Sequence, residues 1–187
     1  MSTTIPCGFR RRGAVSGEDQ SMAIPQRSFD RPGALHRSQD VASSAESAFA
    51  LMCEVEKWPV WLSFLRSARR LDPLKMLGLG DEVAIRSAIP GEDEELFEVD
   101  QYIENHIVSL VGAYSVRRRI DLRVERKTER SKIVVRIDYP TYGGAIGRLI
   151  DRITVRRKLE GALGESLVHF KGLCEYDRGP DALLEDF

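Results

Sequence analysis

The sequence predicts an α+β fold: a curved antiparallel sheet of about seven strands wrapped around one long C-terminal helix, with two short helices after the first strand. Three observations predict it. Six extended segments follow one another between residues 66 and 139, each bounded by turn signals, as an antiparallel meander requires. After Pro140 and the Gly143-Gly144 pair the apolar period switches from that of a strand to that of a helix and holds for about 30 residues. An antiparallel sheet whose helices are segregated to one face is the α+β arrangement.

The elements follow in order. Residues 1–33 are rich in Ser, Gly, Pro, Arg and Gln without any sustained period, and are expected to be a disordered tail. Met22 lies inside this tail and is an alternative start. Residues 35–41 form the first strand. Ser43 or Ser44 then offers an N-cap, and Ala48, Phe49, Leu51, Met52 and Val55 give helical spacing. Pro59 interrupts that helix, and residues 60–65 read as a second short helix or turn. The six further strands are expected at 66–72, 81–89, 94–104, 107–113, 115–126 and 132–139. The Gly78-Leu-Gly80, Pro90-Gly91, Asn105-His106 and 127–131 turns separate several of them. The closing helix, 144–175, carries Ile146, Leu149, Ile150, Ile153, Leu159, Leu163, Leu167, Phe170 and Cys174 as one stripe, about 45 Å long. Gly161, Gly164 and Gly172 fall within it, and predict a close approach to the sheet or a bend. Residues 178–187 are expected to fray, which leaves 34–177 as the folded domain.

Composition bounds the function. The 187 residues are 42% apolar and 30% charged, with a net charge of −1, which excludes a histone-like basic protein and wholesale disorder. The longest nearly uncharged apolar stretch, 107–114, is far short of the roughly 20 residues that span a bilayer. Three cysteines, Cys7, Cys53 and Cys174, give neither C-x-x-C spacing nor an even count, so no metal site, no disulfide framework and no cofactor is expected, and a reduced, cytoplasmic setting is. Arg10-Arg11-Arg12 is followed by no apolar segment, so a signal peptide is not expected. No Ser-His-Asp ordering, phosphate-binding loop or dinucleotide fingerprint is present.

The stretch from Ala45 through Glu54, Val55, Glu56, Lys57, Trp58, Pro59 and Val60 to Trp61 is an apolar helix, an acidic end and then W-P-x-W. It resembles the opening of the SRPBCC superfamily, the helix-grip proteins that include polyketide cyclase/dehydrase, START-like and coenzyme Q-binding-like members. The Leu77-Gly-Leu-Gly-Asp81 turn and the closing helix are similar to that family's pattern too, so the resemblance covers residues 35–177. It implies a cavity between the sheet and the C-terminal helix that binds or carries an apolar small molecule such as a lipid, quinone or polyketide. Two alternatives stand beside it: a polyketide cyclase or aromatase-like enzyme, and a module that binds a protein partner.

Strand alternation predicts which residues face the cavity. On 115–126 the inward set is Val116, Arg118, Ile120, Leu122 and Val124, with Arg119, Asp121 and Arg123 facing solvent. On 132–139 it ends with Tyr139, and on 94–104 it is Phe97, Val99, Gln101 and Ile103, with Glu98, Asp100 and Tyr102 outward. Arg118 and Gln101 are thus polar residues on apolar faces. Arg118 either anchors a carboxylate, carbonyl or phenolate of the ligand or pairs with an internal acid, since an unpaired buried arginine is costly. Tyr139 and Tyr142 fall at the expected mouth beside Gly143-Gly144. Trp61 and Phe64 from the opening segment, and Leu163 and Leu167 from the long helix, complete the candidate lining, with core packing as the plainer role of the aromatics. His106 is expected in a solvated turn and His169 on the helix surface, although His169 neighbours the apolar stripe. Residues 117–136 hold nine basic side chains against three acids. This is either a solvated mixed-charge face or a basic flank that docks on an anionic membrane surface or an acidic carrier protein. No nucleic-acid module is present, and nucleic acid is not expected.

Overall fold

The computed structural model describes residues 34–88, 93–128, 130–138 and 145–176, with the last helix given by its backbone alone up to residue 153. The tails expected at 1–33 and 178–187, and Tyr139 and Tyr142, lie outside the described residues.

The chain runs from β1 (Leu35–Val41) through α1 (Ala45–Cys53), one 3-10 turn (Val55–Lys57) and α2 (Trp58–Trp61) into a meander. The meander is β2 (Leu65–Arg70), β3 (Glu82–Ser87), β4 (Glu94–Ile103), β5 (Ile107–Gly112), β6 (Ser115–Arg126) and β7 (Ser131–Asp138). The helix α3 (Ala145–Tyr176) closes the fold. All seven strands form one antiparallel sheet in the order β1-β7-β6-β5-β4-β3-β2. The first strand therefore pairs with the last, and the sheet curls around α3, which lies closest to β1.

Local chemistry explains the opening helices. Ser44 caps α1, its Oγ accepting from the Ser47 backbone N–H at 3.1 Å. Pro59 lies in the first turn of α2, where its missing N–H costs no helical bond. The second helix consequently begins at Trp58 and ends at Trp61, earlier than the 60–65 expected from Pro59 as a breaker, and Leu65 already belongs to β2. Between α1 and β2 the chain is fixed by side chains that reach back into it. Trp58 Nε1 donates to the Met52 carbonyl at 2.8 Å, and the Ser63 backbone N–H donates to Ser166 Oγ on α3 at 2.9 Å.

The core is one cluster between the sheet and the helices. Trp58, Trp61, Met52, Leu110, Leu122, Ile133, Leu163 and Phe170 are fully buried in it. The inward alternation on β6 holds at Ile120, Leu122 and Val124, and that on β7 at Ile133, Val135 and Ile137. Two expectations are corrected. First, a β-bulge falls between Val99 and Gln101. The extra residue there shifts the later part of β4 by one position. Gln101 pairs with Ser109, which pairs with Asp121, so it stands on the outer face, while Tyr102 turns inward and meets Phe49 edge-on at 5.6 Å. Second, the outer face of the sheet centre is not solvated. Asp121 is only 6% exposed and Arg136 4%.

The helix α3 runs unbroken through Gly161, Gly164 and Gly172. A Cβ at any of the three would meet nothing within 4 Å, so these glycines serve no close approach to the sheet.

Candidate functional site

The meander brings one edge of the sheet together from several strands. β3 ends, β4 begins, β5 ends and β6 begins along this edge, because each strand reverses the one before it. Near it, on the inner face, lie Phe97, Glu95, Arg118 and Ile120. Phe97 pairs with Val83 and Gly112, and Ile120 with Leu110 and Ile137, so all of these share the face that looks towards α3. Arg118 lies at the register irregularity between β5 and β6, and its Nη1 forms an ion pair with Oε1 of Glu95, whose strand partner Ile85 is in the core. The side chains are 23% and 35% exposed, so the pair sits at the rim of the apolar interior and not in its depth.

The opposite wall comes from α2 and α3. Trp61 packs edge-on against Phe170, with ring centroids 4.6 Å apart. Phe64 leads into β2, and its carbonyl accepts from the Ala88 backbone N–H at 2.8 Å and from Ser87 Oγ at 3.1 Å, which ties this turn to the end of β3. Leu163 and Leu167 are buried on the inward stripe of α3. Trp61, Phe64, Phe97, Ile120, Leu163 and Leu167 thus all join one buried cluster, with Arg118 at its rim. Gln101 does not join it, because of the bulge. His169 lies exposed on α3, and His106 is a half-buried turn residue whose Nδ1 is 3.2 Å from the Val124 carbonyl oxygen.

Three features escaped the alternation rule. Glu95 as the partner of Arg118 requires knowing that β4 and β6 flank β5. Tyr102 faces inward only through the bulge, and its hydroxyl meets the Cys53 thiol of α1. Burial pushes that thiol up to about 11, and burial followed by the neighbouring Cys53 pushes the Tyr102 hydroxyl up to about 12. Burial thus favours the neutral thiol of Cys53 over the reactive thiolate. The third feature is Trp61 Nε1, a buried donor with no acceptor among the described residues. Only the abundance of tryptophan in W-P-V-W pointed towards it.

The outer face is built otherwise. Arg119 donates from Nη2 to both Asp100 oxygens, at 2.7 and 2.6 Å, and from Nε to Asp121 at 2.8 Å. Burial pulls the Arg119 pKa down, but the two carboxylates outweigh it and leave the guanidinium above its ordinary value. Arg136 reaches Asp138 at 3.0 Å. At the far edge of the sheet, the connection after β2 is tied by Lys75 to Asp81 at 2.5 Å and by the Gly78 N–H to Asp81 Oδ2 at 2.7 Å. It nevertheless leaves Leu74 97% and Met76 86% exposed. Among the described residues, no three His, Cys, Asp or Glu side chains gather as metal ligands would, and no helix is long and apolar enough to cross a membrane.

With this geometry in view, the comparisons with known proteins are informative about the fold. No protein-family model matches the sequence, and no curated protein matches it. Solved structures do. The KanY protein superposes with a TM-score of 0.61 at 15% identity, covering 76% of this chain and 97% of its own. The Zhui aromatase/cyclase of a Streptomyces species gives 0.58 at 12% identity, covering 79% and 96%. A START superfamily protein of Mycobacterium smegmatis gives 0.51 at 17% identity, covering 76% and 97%. The chain shares the helix-grip α+β fold of these structures. At these identities the likeness is one of architecture. The helix-grip frame places the inner face of the sheet, α2 and α3 around a common apolar interior, and it leaves the chemistry to the side chains described above.

Proposed function

We propose that the protein binds or carries an apolar small molecule, of lipid, quinone or polyketide character, between the inner face of the sheet and α3. One observation carries the reading: the largely apolar inner face of the sheet holds, among the described residues, the ion pair of Arg118 with Glu95 at its rim. A partly desolvated pair adds little to folding stability and can be replaced by apolar residues at small cost, so its place on this face favours a role at the opening of a ligand site. Trp61, Phe64, Phe97, Ile120, Leu163 and Leu167 belong to one buried apolar cluster between the sheet and the helices, and its character supports an apolar ligand. The resemblance to START and aromatase/cyclase structures supports the same reading. The reading leans towards a carrier over an enzyme because His169, the one histidine on α3, lies exposed on the helix surface.

Native mass spectrometry of the purified protein, followed by solvent extraction, tests this. An adduct that extracts as a lipid, quinone or polyketide is the expected result. A protein that comes without any adduct, and takes up none from a mixture of such compounds, overturns it.

A further inference from the structure

The two tryptophans of W-P-V-W are both fully buried, yet they are satisfied differently. Trp58 Nε1 donates to the Met52 carbonyl at 2.8 Å. Trp61 Nε1 is as deeply enclosed and has no acceptor among the described residues. Buried polar groups left without a partner are rare, because such a group loses its water and gains nothing in exchange. The position of Trp61 is no accident of loose packing. Its ring is held edge-on by Phe170 at 4.6 Å, and the turn that follows is fastened to α3 through the Ser63 N–H and Ser166 Oγ.

We propose that Trp61 Nε1 is the polar anchor of the ligand site and donates a hydrogen bond to a carbonyl oxygen of an otherwise apolar, uncharged ligand. This rests on the reading of the protein as a binder of apolar molecules, and it narrows the ligand's chemistry. An indole N–H only donates, so the ligand must supply an acceptor. The cation on the inner face, Arg118, already has Glu95 as its counter-charge, so a ligand carboxylate would have to displace that acid. A neutral carbonyl at Trp61 would leave the Arg118–Glu95 pair intact. A buried water is the competing occupant, but a water needs two to four polar partners. Among the described residues, Ser63 Oγ, two residues on, is the other buried side-chain atom of residues 58–63 without a partner.

The test uses the two tryptophans as paired reporters, since the chain contains only these two. Their indole N–H resonances are assigned with Trp58→Phe and Trp61→Phe, and the intact protein is titrated with fluorenone and with fluorene. These planar molecules have nearly the same shape, and differ by a carbonyl in place of a methylene. The expected result has three parts. Fluorenone moves the Trp61 indole proton downfield and leaves that of Trp58 in place. It binds about tenfold more tightly than fluorene, the ratio one such hydrogen bond supports. Trp61→Phe abolishes the preference while fluorene still binds. If the two probes bind equally and the Trp61 proton does not move, water or nothing holds this N–H; the inference then fails while the ligand-binding reading stands. If neither probe binds, the inference fails, and the ligand-binding reading is decided by the mass-spectrometric test. The resonance shift is read on the unsubstituted protein, so a variant that folds poorly does not obscure the outcome.

Discussion

Along β6, successive residues go to opposite faces, and the two faces treat charge in opposite ways. Ile120, Leu122 and Val124 point into the core, with Arg118 as the one charged residue before them. Arg119, Asp121 and, on the neighbouring strand, Arg136 point outward, yet they are more deeply buried than Arg118. The outer charges interlock: Arg119 binds two carboxylates and Arg136 a third. The inner charge has a partner across one intervening strand, at the rim. A saturated network of short bonds is bound to the sheet's own geometry, and removing one member strands the others. A pair at the partly solvated rim is open to exchange with something else. The outer face is therefore a structural device and the inner face a candidate for recognition.

The sharpest way to break this comparison is to make the same change at two adjacent residues. Arg119→Met should cost about 3 kcal/mol of unfolding free energy, because it leaves Asp121 and Asp100 without their donor in a poorly solvated place. Chemical denaturation measures it, with the shift read in the midpoint at constant slope. A loss well under about 1 kcal/mol would mean that the outer network is merely a surface ornament, and the contrast between faces would go.

Arg118→Met should cost about 1 kcal/mol or less, since both members of its pair are partly solvated. Its effect should appear elsewhere, as a changed affinity for whatever apolar compound the protein takes up. The same denaturation series and a binding titration with the extracted compound check both parts. If Arg118→Met destabilises as much as Arg119→Met, the inner pair is structural too, and its place at the rim no longer argues for a ligand.

Much of this fold was legible from the chain. The seven strands fall within one or two residues of their expected ends because alternation and turn residues are local signals, as at Asn105, whose φ of 57° suits the tight β4–β5 turn. The helix cap at Ser44 and the long closing helix were legible for the same reason. What stayed hidden depends on neighbours far along the chain. The bulge beside Asp100 is set by how β4 meets β5, and it exchanged the faces of Gln101 and Tyr102. The burial of Asp121 follows from Arg119 and its flanking strands, and the acid facing Arg118 comes from a strand two places away. The unpartnered Trp61 N–H cannot be told from the satisfied Trp58 N–H in W-P-V-W, because that difference lies in which carbonyl each ring reaches.

The smallest expected effect tests the bulge itself. Tyr102 faces the core only because the bulge turns it there, where it meets Cys53. Both groups have raised pKa values in the folded protein, Cys53 from 9.0 to about 11 and Tyr102 from 10.0 to about 12, with burial the leading cause in each. The fold thus favours their neutral forms. Their contribution to stability is complete below about pH 9 and is lost as the pH rises through the folded-state values, because the unfolded chain gives up these protons first. Denaturation midpoints should therefore decline on the alkaline side, and Tyr102→Phe and Cys53→Ala should each flatten that decline. In the unsubstituted protein, alkylation of the Cys53 thiol near pH 8 should be slow beside that of a free thiol. Had simple alternation held, Tyr102 would stand on the outer face away from Cys53, and Tyr102→Phe would leave the alkaline arm unchanged.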